Sequence, residues 1–410
     1  MEPLPPPEDS SSPPEEGDES AEEAPAASSP DESRADTGPP PVPTPLDMVK
    51  KYALPVVFVL AVFAMYFKGE SDEALLAQQG SGLAALQGQI MGTSFDVQII
   101  AQMDPNAEEL LWQNVNEAMQ GVDLSMSTYK PESELSLLNE HVEIETPFEI
   151  SPVFLTVLEA AQSVHSSSGG AFDPTVGPLV NRWGFGPGDK PQEAPSEEEL
   201  ESLRERVGLD KLQVLPAADT EMGLVTKGSP DLQIDLSAIA KGYAVDRVAA
   251  VIHSLGYTNW KVEIGGEIRT SGTNPQGLPW TIGIETPVVG QQDLWMTLPL
   301  NEMSLATSGD YRNIHQIDGM TISHTIDPRT GRPIDHGLAS VSVLHSDCLY
   351  ADAWATALMV LGLEEGLQIA EERGLQALFI QRGDDASSLE ETSTSAWKKY
   401  ISVHAPETVE

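Results

Sequence analysis

Asp352 and Thr356 stand four positions apart in Ala351-Asp352-Ala353-Trp354-Ala355-Thr356-Ala357-Leu358. On a helix that spacing puts a carboxylate and a hydroxyl on one face. Such a pair suits a hard, oxygen-seeking cation such as Mg²⁺, with a carbonyl and phosphate oxygens completing its shell. The plainer reading has Asp352 facing its own helix dipole and Thr356 bonded back into its helix.

Four further segments carry polar side chains in shaped surroundings. Gly169-Gly170-Ala171-Phe172-Asp173-Pro174-Thr175-Val176-Gly177-Pro178 leads to Trp183-Gly184-Phe185-Gly186. A rigid loop exposing Phe172 and Asp173 could hold an aromatic heterocycle, or it is a tight turn around a core phenylalanine. In Asp235-Leu236-Ser237-Ala238-Ile239-Ala240-Lys241-Gly242 an alternating Leu232–Leu236 strand passes into a helix. Free N–H groups at that junction favour anions, and Lys241, about two turns on, could balance phosphate charge. Asp235 as a simple helix cap and Lys241 as a surface residue is the alternative. Gly265-Gly266-Glu267 follows the Val262–Ile264 strand and permits close main-chain approach to a ligand, or a simple bend. Last come Ala306-Thr307-Ser308-Gly309-Asp310-Tyr311-Arg312 and Ser323-His324-Thr325-Ile326-Asp327-Pro328-Arg329-Thr330-Gly331-Arg332-Pro333. His324 in that polar turn could act as a general base toward a hydroxyl, with Asp327 orienting it or fixing the turn. An exposed structural histidine is the alternative.

The elements that must position these residues begin near residue 88. Phe95–Ala101 alternates as a strand, and Asn106–Val122 places Leu111, Val115, Met119 and Val122 on one helical face. Pro152–Ser168 reads as a helix stopped by Gly169-Gly170. Ser196 with Glu199 resembles a capping box opening a charged helix that ends near Gly208. Strands are expected around 259–264, 280–285, 340–345 and 377–381, and helices around 238–255 and 350–361. Helices and strands mix without a βαβ rhythm, so the fold class is α+β.

Ahead of this domain, residues 1–47 are rich in Pro, Ser, Ala, Glu and Asp, with Arg34 the one basic residue. Such a stretch cannot bury enough apolar surface to offset its ordering entropy, and it reads as a disordered tail. Lys50-Lys51 then precede the apolar run Tyr52–Phe67, closed by Lys68. Its helical length is about 24 Å against a hydrocarbon core of ~30 Å, a gap that snorkelling lysines can bridge. One transmembrane helix is expected over 52–67. The paired lysines predict an inside amino terminus and a catalytic domain on the outer face of the cytoplasmic membrane. Residues 69–87 read as a linker.

Of 410 residues, 64 are acidic and 22 basic, for a net charge of −42. That balance argues against nucleic acid, which calls for clustered Lys and Arg. A single cysteine, Cys348, excludes an internal disulfide and a Cys-rich metal site. No Walker loop, HExxH motif or Gly-x-Ser-x-Gly elbow is present.

Taken in order, these segments resemble the ApbE family of FAD:protein FMN transferases over about residues 88–400. Met91-Gly92-Thr93, Ser127-Thr128-Tyr129, Ser133-Glu134-Leu135 and Asn139 add to the resemblance. It implies a two-subdomain α+β flavin-transferase fold with FAD in the cleft between the lobes. It implies that Met91, Tyr129, Ala171, Phe172, Asp173, Asp235, Lys241 and Thr325 contact FAD. Mg²⁺ would be held by the carbonyl of Ala238 and the side chains of Asp352 and Thr356, with His324 as base. The implied reaction joins FMN to a Thr or Ser hydroxyl of an acceptor flavoprotein and releases AMP. Redox subunits of ion-pumping NADH:quinone oxidoreductases are acceptors of this kind. An FAD pyrophosphatase and a noncatalytic FAD-binding protein are the rival readings. Many relatives carry a lipid-bearing cysteine near the amino end. No cysteine precedes Cys348 here, so the 52–67 segment would be the anchor.

Overall fold

The computed structural model describes residues 82–404, except 145, 187–190, 192, 217–220, 289, 291–292, 311–313, 318–319 and 384–387. The tail at 1–47, the apolar run at 52–67 and most of the linker lie outside the described residues. Among the described residues no helix is long and apolar enough to cross a membrane. They all fall in one compact unit, Ser71–Glu410.

The first strand, β1 (Leu83–Ile90), starts inside the segment expected as linker. It pairs along its whole length with β2 (Thr93–Ile100). The two-residue turn between them, Met91-Gly92, has φ of 50° and 74°. Left-handed backbone at both positions matches the twist of a tight hairpin, and Met91 accepts the strain that Gly92 avoids.

These strands open an eight-stranded sheet in the order β1, β2, β6 (Trp260–Ile264), β7 (Glu267–Ser271), β10 (Ser304–Gly309), β15 (Leu338–His345), β16 (Gln376–Arg382), β17 (Leu389–Ser393). Every neighbouring pair is antiparallel. The α+β expectation is met: no crossover helix joins parallel strands in this sheet.

Period-two alternation divides the sheet between two apolar layers. In β16, Ala377 and Phe379 join the main core, while Leu378 and Ile380 join a second core on the other face. The main core takes in helix α1 (Pro105–Met126), which buries Leu111, Val115, Met119 and Val122 as expected. It also holds α2 (Glu134–Glu140), α3 (Pro152–Ser167), α6 (Ala240–Ser254) and α7 (Cys348–Glu372). The second core is closed by the hairpin β8 (Trp280–Glu285) and β9 (Leu294–Leu300) and by α8 (Ser395–His404), through Trp280, Leu298, Trp397 and Tyr400. A third core gathers Leu179 and Trp183 of the α4 region (helix Gly177–Arg182), Leu200 of α5 (Glu197–Arg204), Ile317 and Ile326. A side sheet pairs β3 (Phe148–Ile150), β5 (Gly223–Lys227) and β4 (Leu212–Pro216), and short hairpins pair β11 (Ile314–Ile317) with β12 (Met320–Ser323) and β13 (Ile326–Asp327) with β14 (Arg332–Pro333).

Several local expectations are corrected. Residues 232–236 form no strand, although Leu232, Ile234 and Leu236 are buried. The side-chain amide of Asn139 takes the place of a neighbouring strand. It donates to the Ile234 carbonyl at 2.9 Å and accepts from the Ile234 N–H at 2.7 Å. Helix α7 starts at Cys348 and continues past Gly362, whose φ of 75° and ψ of −178° kink it. Half of the capping box forms. Ser196 accepts from the Glu199 N–H, but the Glu199 carboxylate turns to Arg182.

Candidate active site

The site is built where the first turns of α6 and α7 meet. Asp235 opens it: its carboxylate accepts from the Ser237 N–H at 2.8 Å and from the Ser237 hydroxyl. Its own N–H donates to the Pro174 carbonyl at 2.7 Å, which ties this turn to the 171–175 loop. Helix α6 begins at Ala240 with no side-chain cap from Ile239. Lys241 therefore lies in the first turn, not two turns in, and its ammonium reaches back to the Ser237 carbonyl at 3.1 Å.

The missing cap comes from the other helix. Asp352 Oδ2 accepts from the Gly242 N–H at 3.0 Å and lies 3.5 Å from Lys241 Nζ. A carboxylate at a helix N-terminus satisfies an orphan donor and meets the positive end of the dipole. This is the dipole of α6, not that of its own helix. The approach is so close that a Cβ on Gly242 would stand 2.3 Å from the Cys348 carbonyl oxygen and 2.8 Å from Asp352 Cβ. In return Asp246 of α6 accepts from the Cys348 and Leu349 N–H groups at 3.0 and 2.9 Å, capping α7. Arg269 of β7 pairs with Asp246 on its other side. Burial raises the Asp246 pKa even so, against the pull of Arg269 and the two N–H groups.

Thr356, one turn beyond Asp352, bonds to the Ser308 hydroxyl of β10 at 3.0 Å and not back into its own helix. On the sheet side, Gly265-Gly266 forms the tight turn between β6 and β7, with φ of 67° and 100°. A Cβ on Gly265 would meet Thr93 at 2.9 Å and Lys241 Cδ at 3.2 Å. That turn thus brings the Met91–Thr93 hairpin end against the lysine. Glu267 follows at once, 4 % exposed, with Oε1 3.7 Å from Lys241 Nζ and Oε2 buried without a hydrogen-bond partner.

One ammonium is thus shared by two buried carboxylates. Burial alone would pull the Lys241 ammonium down; the Asp352 and Glu267 charges outweigh it and hold its pKa above the usual lysine range. Glu267 moves the other way. Burial, with the Asp352 charge adding to it, pushes its carboxyl up to about 8 against the pull of Lys241.

The donor set fits Mg²⁺. Asp352, Thr356 and Ser308 offer oxygen only, the donor a hard divalent cation takes, and Glu267 Oε2 beside them is buried without a hydrogen-bond partner. Among the described residues no group of three or more His, Cys, Asp or Glu could hold a metal by itself, so substrate oxygens would have to contribute.

Other expected residues lie differently. Ala171, Phe172 and Asp173 are buried, not displayed. Phe172 belongs to the main core, and Asp173 accepts from the Thr175 N–H and hydroxyl and from the Leu209 N–H. Their loop supports Asp235 from beneath. Tyr129 is 72 % exposed. His324 and Thr325 are half-buried beside the third core, with the Phe185 ring edge-on to His324 at 6.2 Å between centroids. Asp327 is held by Arg329 at 2.8–3.3 Å and its carbonyl closes the Thr330-Gly331 turn, so it fixes the turn. Tyr311 and Arg312 lie outside the described residues. Gly242, Asp246, Ser308 and Glu267 carry contacts that no local pattern marks, although all but Asp246 stand inside the polar segments named above.

The ApbE family model matches residues 91–379. The chain belongs to the ApbE family. It is 42 % identical over 317 residues to the FAD:protein FMN transferase of Vibrio cholerae serotype O1, covering 77 % of this chain and 92 % of that protein. To the FAD:protein FMN transferase of Escherichia coli K12 it is 34 % identical over 328 residues, covering 80 % and 92 %. Among solved structures, the flavin transferase ApbE from Vibrio cholerae superposes with a TM-score of 0.69 at 40 % identity, over 78 % of this chain and 99 % of that one. The apo form of Pseudomonas stutzeri flavinyl transferase ApbE gives 0.69 at 35 %, over 78 % and 96 %. This ApbE-family chain is accordingly an enzyme, with the mixed α/β fold of its relatives.

Proposed function

We propose that the chain transfers FMN from FAD to a Thr or Ser hydroxyl of an acceptor flavoprotein, with Mg²⁺ and with release of AMP. The observation that carries this reading is the cluster of Lys241, Asp352 and Thr356 at two mutually capped helix starts. The Lys241 ammonium at the start of α6 offers a fixed positive charge to a pyrophosphate, and adjacent glycines at 265–266 let the main chain come near it.

In this mechanism Asp235, Lys241 and the Met91 and Tyr129 regions bind and orient FAD, and the buried 171–173 loop backs them. Lys241 supplies a fixed positive charge toward the phosphates. His324 accepts the proton of the acceptor hydroxyl, and Thr325 beside it contacts the flavin nucleotide. The hydroxyl oxygen bonds to the FMN phosphorus as the bond from that phosphorus to the AMP oxygen breaks. Bound Mg²⁺, held by the Ala238 carbonyl, Asp352 and Thr356, would neutralise charge on the pyrophosphate. Positioning and charge stabilisation supply most of the rate. The segment at 52–67 is proposed to tether the domain to the outer face of the cytoplasmic membrane.

The experiment is a mass spectrum of a candidate acceptor coexpressed with and without this enzyme. An added FMN on a Thr or Ser is expected. Free FMN and AMP with an unmodified acceptor would mean hydrolysis in place of transfer.

A further inference from the structure

Lys241 sits between two carboxylates of unequal engagement. Asp352 is on a helix and already accepts from the Gly242 N–H. Glu267 is on β7, inside the main sheet, directly after a two-glycine turn that packs on the Lys241 stem. Among the described residues Lys241 is the one side chain paired with Glu267, and Oε2 has no partner. A buried carboxylate so sparsely bonded is costly to keep unless it serves some other group.

An ammonium bound to Asp352 alone would compete directly with a cation for that carboxylate. A second anchor on the opposite side relieves the competition. We propose that Glu267 is a positioning residue that draws Lys241 away from Asp352 and so keeps Asp352 available to a divalent cation. The inference rests on the reading of Asp352 as a cation ligand. Glu267 itself touches neither cation nor substrate in this scheme. It acts through Lys241, whose ammonium lies at 3.7 Å from Glu267 and 3.5 Å from Asp352, nearly balanced between them.

A double-variant cycle tests it at pH 9, where the Glu267 carboxyl is ionised, with Mg²⁺ titrated calorimetrically into the purified full-length chain saturated with FAD and without acceptor. The forms compared are wild type, Glu267→Gln, Lys241→Met and the two combined. Glu267→Gln is expected to weaken Mg²⁺ binding about tenfold. Lys241→Met is expected to bind at least as tightly as wild type, and adding Glu267→Gln to it is expected to change nothing further. Unchanged affinity in Glu267→Gln overturns the proposal. So does an equal loss in both backgrounds, which would mean that Glu267 acts on the cation directly. A wild-type chain that takes up no Mg²⁺ would overturn the underlying cation reading, and the proposal with it. Should Glu267→Gln fail to fold, Glu267→Asp carries the same comparison: its shorter reach should weaken Mg²⁺ only where Lys241 is present.

Discussion

Asp246 and Asp352 exchange helix caps: each sits on one of the helices α6 and α7 and accepts from N–H groups in the first turn of the other. This reciprocity fixes the two helix starts in register. Both Lys241 and Thr356 depend on that register for their place.

Asp246→Asn keeps the shape but removes the charge that faces Arg269 and two N–H groups. We expect a loss of about 1–3 kcal/mol, seen as a lower melting temperature. Turnover should fall as well, because a loosened α7 no longer holds Asp352 and Thr356 in place. Unchanged melting would show that the cap carries no net stability.

Gly242→Ala places a methyl group where the Cys348 carbonyl oxygen would be 2.3 Å away. Helices α6 and α7 must part or the chain must fail to pack, at a cost of about 1–3 kcal/mol or more. The measurement is thermal unfolding beside FAD turnover. Both are expected to drop, whereas Gly121→Ala, in open space on helix α1, should spare turnover.

Asp352→Ala removes a cation ligand and the α6 cap together, so Mg²⁺-dependent transfer should vanish. Near-normal rates at saturating Mg²⁺ would remove Asp352 from the ligand set. His324→Ala should slow transfer by roughly 10²–10⁴ while FAD affinity changes little. Equal losses in both would assign His324 a structural role.

The pH dependence of stability follows from Glu267. Its folded carboxyl is raised from 4.5 to about 8. A raised acid favours the native state when protonated. Its contribution is therefore full below about 4.5 and is lost as pH rises through about 8. In cation-free protein, wild type should lose melting temperature between pH 5 and pH 8 relative to Glu267→Gln, which has no such group. Parallel profiles for the two proteins would refute the shift.

Truncation to residue 72 onward leaves the whole described sheet, since β1 starts at Leu83. The shortened enzyme should stay soluble without detergent and active on a soluble acceptor. A folded but inactive product would show that the removed region does more than tether.

Much of this was written locally in the sequence. The stripe Leu111, Val115, Met119, Val122 determined a helix and its buried face, because 3.6-residue periodicity survives in any context. Strands at 260–264, 280–285, 338–345 and 376–382 were visible from alternation and β-branched content. The order of the five polar segments identified the family.

What the tertiary structure alone decided is which polar atoms meet. Alternation at 232–236 suggested a strand, yet the ladder there is replaced by one amide, that of Asn139, from another helix. Asp352 could be a cation ligand or face its own helix dipole, and it caps α6; Phe172 could be displayed or core, and it is core. Periodicity records which side of an element is buried, and sequence therefore sets the elements. Long-range pairing between Asp246 and α7, or between Glu267, Lys241 and Asp352, leaves no periodic trace, because partners about twenty-five to a hundred positions apart are joined only once the helices pack on the sheet.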